Sequence, residues 1–297
     1  MPTKPYLSGH YAPLAEETDA TDLEVVGALP PELTGQYLRN GHNPKPGVTP
    51  SHWFKGSGML HGYASTTAGR AGTATAGCGL RPGRRPPVRD DGSADLTASV
   101  AATHVIEHGG RLLALQEANL PYEVTPELDT VGPYDFHGTL TRAMTAHPKE
   151  DPDTGELHFF SYAPLPPHLT YLVASPRGRV VVSRTVEGAG PSLMHDFAIT
   201  RTRAVFLDGP VVFDPAETSG IPYRWHDTYQ ARVGLLDRAG NAPVTWIPVG
   251  QRAILHVTNA YDTPDGKVVL EGAAYDRASW ETSWKWWIGA RAIPSPR

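Results

Sequence analysis

The sequence predicts an all-β protein, and three observations predict it. Short segments rich in β-branched and aromatic residues recur from about residue 98 onward. The 297 residues include 30 glycines and 29 prolines, well above ordinary use, which favours turns over long helices. Few windows carry a helical period.

In chain order the expected strands cover 100–108, 111–118, 156–163, 179–186, 203–213, 244–249, 253–261 and 267–275. Each is short and bounded by Gly, Pro, Asp or Asn. Turn signals at 151–155, 176–178 and 263–266 lie between them. Short strands joined by tight turns fit a sandwich, a barrel or a propeller, and strand count alone does not choose among these. No internal repeat decides the matter.

One segment breaks the pattern. Residues 66–83 read TTAGRAGTATAGCGLRPG, with Leu80 as the sole large aliphatic residue. Such a stretch buries too little apolar area to offset its ordering entropy, so a disordered insert is expected. GC-rich codons for 65–79, read in a shifted frame, give a far more strand-like sequence. Out-of-frame translation is the sharper expectation, and the coding DNA decides it.

Composition narrows the function. The formal net charge is -5 and no long basic run occurs, which argues against nucleic acid as a partner. The single cysteine, Cys78, excludes an intrachain disulfide and fits a reducing cytoplasm. Residues 1–8 lack a basic-then-apolar leader pattern, and no run approaches the length of a transmembrane helix. Peripheral membrane contact and oligomeric state stay open.

Three of the 13 histidines stand out by context. His147 sits in TAHPKED at a strand end before a turn. His195 sits in MHDFAIT before a short apolar strand. His256 sits in AILHVTNAYD within a β pattern. No local zinc spacing is present, so these residues could meet only in a folded core. Imidazole suits iron, zinc and copper alike. A histidine taken at random is more often a surface or hydrogen-bonded residue than a ligand.

Longer motifs carry more. QYLRNGHNPKP (36–46) followed by HWFKGSGMLHG (52–62) resembles the opening signature of the carotenoid and apocarotenoid cleavage oxygenase family. The resemblance continues through 103–136, 143–162, 194–200, 210–215, 222–225, 232–236 and 256–262, in order along the chain. It covers nearly all residues except 65–83 and the last few.

The resemblance implies a single domain over 1–297, a seven-bladed β-propeller that is incomplete, its last blades missing. It implies Fe(II) held by four histidines with no directly bound carboxylate. By position His147, His195 and His256 match the first three ligands. Glu117, in LALQEANLPYEV, matches a glutamate that accepts a hydrogen bond from a ligand imidazole and fixes its orientation. The implied reaction is cleavage of a conjugated C=C bond of an apolar carotenoid, apocarotenoid or stilbene by O2, giving two carbonyl products.

Departures from the family pattern qualify this. The fourth iron histidine is absent from the chain, and 288–297 reads as an aberrant tail, which a second frame change followed by an early stop would explain. Lys55 and Ser57 replace acidic residues as tolerable surface changes. His52 and His61 read as structural, His137 as exposed, and Trp284, Trp286 and Trp287 as strand packing or the lining of an apolar passage. Asp196 and Phe197 read as packing or orienting residues beside His195. Two competing readings remain: an inactive remnant lacking one ligand, and a non-catalytic propeller that binds a ligand or partner.

Overall fold

The computed structural model describes residues 4–20, 23–24, 26–28, 30, 32–65, 71–78, 89, 93–218 and 220–289. The chain divides into two compact units, Met1–Asp135 and Phe136–Arg297. Among the described residues the regular structure of each is mainly antiparallel strand.

The first unit holds two four-stranded sheets. One comprises β1 (Thr18–Ala20), β2 (Gly35–His42), β3 (Gly58–Ser65) and β4 (Ala71–Cys78) in the order β1-β4-β3-β2. The other comprises β5 (His104–His108), β6 (Arg111–Leu115), β7 (Tyr122–Val124) and β8 (Thr130–Pro133) in sequential order. Leu60, Ala101, Ala114, Tyr122, Val124 and Leu128 form the core between strands of this unit. Gly58 is dictated by close approach. A Cβ there would lie 2.3 Å from the Ala101 carbonyl oxygen, and the Gly58 amide donates to Val100 O at 2.8 Å. Asn40 reaches the same carbonyl, its Nδ2 donating to Ala101 O at 2.7 Å.

Strand β4 corrects one expectation. Residues 66–83 were expected as a disordered insert, yet Ala71–Cys78 pairs along its whole length with β3, from Ser65↔Ala71 to Gly58↔Cys78. It also pairs with β1 on its other side. Main-chain N–H and C=O groups complete the ladder, so a run of Ala, Gly and Thr can be held without large side chains. Residues 66–70 and 79–83 lie outside the described residues.

The second unit holds the site. Strands β9 (Lys149–Glu150), β10 (Leu157–Tyr162), β11 (Leu169–Ala174) and β12 (Val180–Thr185) form one sheet, in the order β12-β11-β10-β9. A second combines β13 (Ala198–Ile199) and β14 (Arg203–Asp208) with β17 (Arg232–Asp237) and β18 (Thr245–Pro248). Between these in sequence runs the ribbon of β15 (Val211–Phe213) and β16 (Tyr223–Trp225). The expected strand 203–213 is thus two strands, parted at Gly209 and Pro210, where proline offers no N–H to a ladder. A long hairpin of β19 (Ala253–Asp262) and β20 (Val268–Tyr275) follows.

The two four-stranded sheets of this unit share a core of Phe160, Leu169, Tyr171, Val173, Met194, Phe197 and Phe206 with smaller neighbours. Phe160 meets Phe197 edge-on at 5.2 Å between centroids, and Phe197 stacks on Phe206 at 5.8 Å. Each such ring contributes about 1.5–3 kcal/mol by leaving water. Phe197 lies two residues from His195, so the core fixes the chain that carries that histidine.

The chain then enters helix α1 (Arg277–Trp287). The tryptophan cluster is helical, where strand packing was expected. Asp276 caps the helix by accepting from Ser279 N at 2.8 Å. Trp280, Trp284 and Trp287 stand at i, i+4 and i+7, and Trp280 packs on both others at 5.8 and 5.6 Å. Trp280, Trp286 and Trp287 are buried. Gly289, with φ 71°, closes the helix. The rest of the expected tail, 290–297, lies outside the described residues. Among the described residues no helix is long and apolar enough to cross a membrane.

Candidate metal centre

Three segments of the second unit bring their histidines to one point. His147 lies in the loop that enters β9, just before Pro148. His195 lies in the extended segment before β13. His256 lies within β19, where the pairing register jumps between Ile254 and Val257. Such a bulge re-aims a side chain relative to its neighbours. Gly272 on β20 accommodates it: a Cβ there would lie 3.0 Å from the His256 carbonyl oxygen.

The imidazoles converge. One nitrogen from each of His147, His195 and His256 lies within 4.8 Å of the others. His147 Nε2 and His195 Nε2 are 2.9 Å apart. The ring centroids are separated by 4.4, 4.9 and 4.8 Å and the rings stand nearly edge-to-face. Metal–imidazole bonds of about 2.1 Å place neighbouring ligand nitrogens about 3.0–3.4 Å apart, so this donor set fits one transition-metal ion after small side-chain adjustments. His147 and His195 are half-buried and His256 is exposed.

Hydrogen bonds knit the three segments together. Thr145, buried, donates from Oγ1 to the His195 carbonyl at 3.3 Å and accepts from the His147 amide at 3.2 Å. Asp196, only 3% exposed, accepts from Lys149 Nζ at 2.7 Å and from the Phe197 amide at 2.8 Å through Oδ1. Its Oδ2 accepts from the Val257 amide at 2.9 Å. Lys149 and Thr145 escape a reading of the sequence, because nothing in their local pattern points to partners 47 and 50 residues away in the chain. The motif MHDFAIT does mark Asp196, though not its three donors.

The other singled-out residues are placed by their own local surroundings. Glu117 is half-buried in the turn after β6, in the first unit. Its neighbour Gln116 fixes that turn, accepting through Oε1 from the Ala102 amide at 3.2 Å and the Thr103 hydroxyl at 3.1 Å. His52 is buried and its Nδ1 accepts from the Phe54 amide at 3.1 Å, which is a structural role. Lys55 and His137 are exposed. A cleft lined by Pro148, Lys149, Ile199, Arg238, Tyr261 and Asp262 among others adjoins β9 and β19, mixing charged and apolar groups.

Comparison with known proteins places these observations. The profile of the retinal pigment epithelial membrane protein family matches residues 11–290. The chain is 36% identical over 312 residues to a carotenoid cleavage oxygenase of Mycobacterium tuberculosis, covering 86% of this chain and 62% of that protein. It is 36% identical over 307 residues to carotenoid 9,10(9',10')-cleavage dioxygenase 1 of Arabidopsis thaliana, covering 89% and 56%. The crystal structure of Pseudomonas brassicacearum lignostilbene dioxygenase superposes with a TM-score of 0.76 at 29% identity, covering 91% of this chain and 61% of that one. The fold is thus of the all-β propeller type, and the chain spans about three fifths of the length of the relatives it matches.

Proposed function

The chain belongs to the retinal pigment epithelial membrane protein family of carotenoid oxygenases, and from that premise we propose that His147, His195 and His256 hold a divalent iron ion. The observation that carries the proposal is their convergence, with no carboxylate in the same cluster among the described residues. When bound, iron would supply O2 activation for cleavage of a conjugated C=C bond. The names of the relatives support a carotenoid, apocarotenoid or stilbene as the apolar partner.

The protein's own groups have separate tasks in this reading. The neutral imidazoles donate nitrogen lone pairs and leave the charge of the ion uncompensated by a carboxylate. By position in the sequence Glu117 matches the glutamate that, in the family pattern, orients a ligand imidazole. The single family profile over 11–290 supports reading both units as one incomplete propeller domain. The lone Cys78 supports a reducing compartment, the cytoplasm.

Among the described residues the cluster supplies three imidazoles where the resemblance implies four, and His256 is exposed. This favours a second reading for the 297 residues by themselves: metal uptake without oxygenase turnover. Anaerobic loading with Fe(II), desalting and elemental analysis test both readings. The parent chain retains close to one equivalent of iron, and the double variant His147→Ala/His195→Ala retains almost none. A parent that stays metal-free, or a variant that loads equally, sinks the metal assignment. Carbonyl products from an apocarotenoid or a stilbene would sink the second reading alone.

A further inference from the structure

We propose that Asp196 is the positioning residue of the three-histidine centre, with Lys149 as its counter-charge. This deepens the metal assignment and rests on it. The warrant is a juxtaposition. The single carboxylate of Asp196 takes one hydrogen bond from each of the three segments that bear the histidines. Lys149 follows His147 by two residues, Phe197 follows His195 by two, and Val257 directly follows His256.

The geometry makes this a tie across the fold. The segments lie 47 and 61 residues from Asp196 in sequence or immediately beside it. A carboxylate offers two oxygens with about four acceptor sites, so it can take three donors without leaving any unmet. A carboxamide cannot do so, because its NH2 would face a donor on one side. Burying a carboxylate is costly unless it is paired, and Lys149 at 2.7 Å supplies the pairing from a side chain that is 30% exposed.

The arrangement also keeps Asp196 out of the metal's direct surroundings. Both of its oxygens are engaged by N–H donors, so the carboxylate orders the chain around the ligands while, among the described residues, the three imidazoles converge on the common centre. Groups that orient ligands in this way typically change metal affinity by about 10- to 100-fold when removed.

Cobalt(II) titration of the full chain tests the proposal, since the visible absorption of bound Co(II) reports coordination geometry independently of any turnover. The parent is expected to bind Co(II) with a defined spectrum. Asp196→Asn is expected to bind about 10- to 100-fold more weakly with an altered band pattern. Lys149→Met is expected to lose about 3- to 10-fold, a smaller step on the same scale, and Lys149→Arg to restore the parent affinity. Asp196→Asn that folds cooperatively, with parent-like affinity and spectrum, overturns the positioning role. Should that variant fail to fold, Lys149→Met decides: unchanged affinity and spectrum overturn the proposal. A parent chain that shows no Co(II) band overturns the metal assignment itself, and the positioning role with it.

Discussion

Among the described residues the second unit contains three buried carboxylates with cationic partners, Asp151, Asp196 and Asp208, and the first two differ in what they hold. Asp196 takes its donors from the three histidine-bearing segments. Asp151 instead pairs with Arg238, whose Nη2 also donates to His158 Nε2 at 2.9 Å and whose Nη1 donates to Thr200 O at 2.6 Å. His158 Nδ1 then meets the Tyr171 hydroxyl at 2.6 Å. The Arg238 network joins the sheet of β9–β12 to that of β13, β14, β17 and β18. None of these four bonds involves a converging imidazole. The comparison separates cohesion from placement: similar polar chemistry stabilises the sheets in one case and aims ligands in the other.

The largest effect expected from breaking this comparison comes from Arg238→Met. It leaves the buried Asp151 carboxylate and the His158 ring without their shared partner, a loss of about 3–5 kcal/mol by the behaviour of broken buried pairs. Urea unfolding measures it, and cobalt affinity should stay within about threefold of the parent if the two networks are independent. A large fall in affinity at full folding would merge the networks.

Acid gives the next effect. Burial, together with the positive charge of Arg238, pushes the pKa of His158 down to about 4. The unfolded chain titrates near 6.5, so between these values it binds more protons than the folded chain. The stabilisation is therefore complete above about pH 6.5 and is lost as pH falls toward 4, to the extent of about 2 kcal/mol. Asp151 acts in the same direction, since its hydrogen bond from Arg238 lowers its pKa and that stabilisation fades as pH falls through the folded value. His158→Gln should flatten the pH dependence of the urea midpoint between 7 and 4.5. An unchanged slope would remove His158 from the cohesion network.

The smallest effect sharpens the placement side. Gly272→Ala pushes a methyl group against the His256 carbonyl and against Ile254 Cγ2, which lies 3.1 Å from the new atom. A destabilisation of about 1 kcal/mol is expected, with a fall of about threefold in cobalt affinity as the bulge shifts. Equal affinity in a destabilised variant would show that the register jump at His256 has no part in aiming the ring.

Much of the sheet structure was legible in the sequence, for reasons that particular strands make plain. The segments at 179–186 and 267–275 each begin after a glycine turn, at Gly178 and Gly266, and resolve as β12 and β20. Leu169–Ala174 was not found, because all six residues are buried and no alternation marks a face. Helix α1 was missed although its signal was present: Asp276 as cap and tryptophans spaced by four and three. Aromatic residues favour strands on average, and that preference hid the period. The histidine centre was not legible from spacing, since 48 residues separate the first pair. The motif resemblance alone pointed to it, and Asp196 needed the folded chain before its three donors could be seen.

The opening motifs of the first unit have a consequence for how the chain can vary. Asn40 and Gly58 belong to separate stretches of sequence, yet both abut the carbonyl of Ala101, which itself sits at φ 45°. The residues between His42 and Gly58 lie outside the β2–β3 ladder. Insertions in the exposed stretch 45–49 should be absorbed as a longer surface excursion, whereas a one-residue slip of that ladder would separate the asparagine and the glycine from their shared anchor. The two signatures thus act as halves of a single clasp and tolerate change only when altered together.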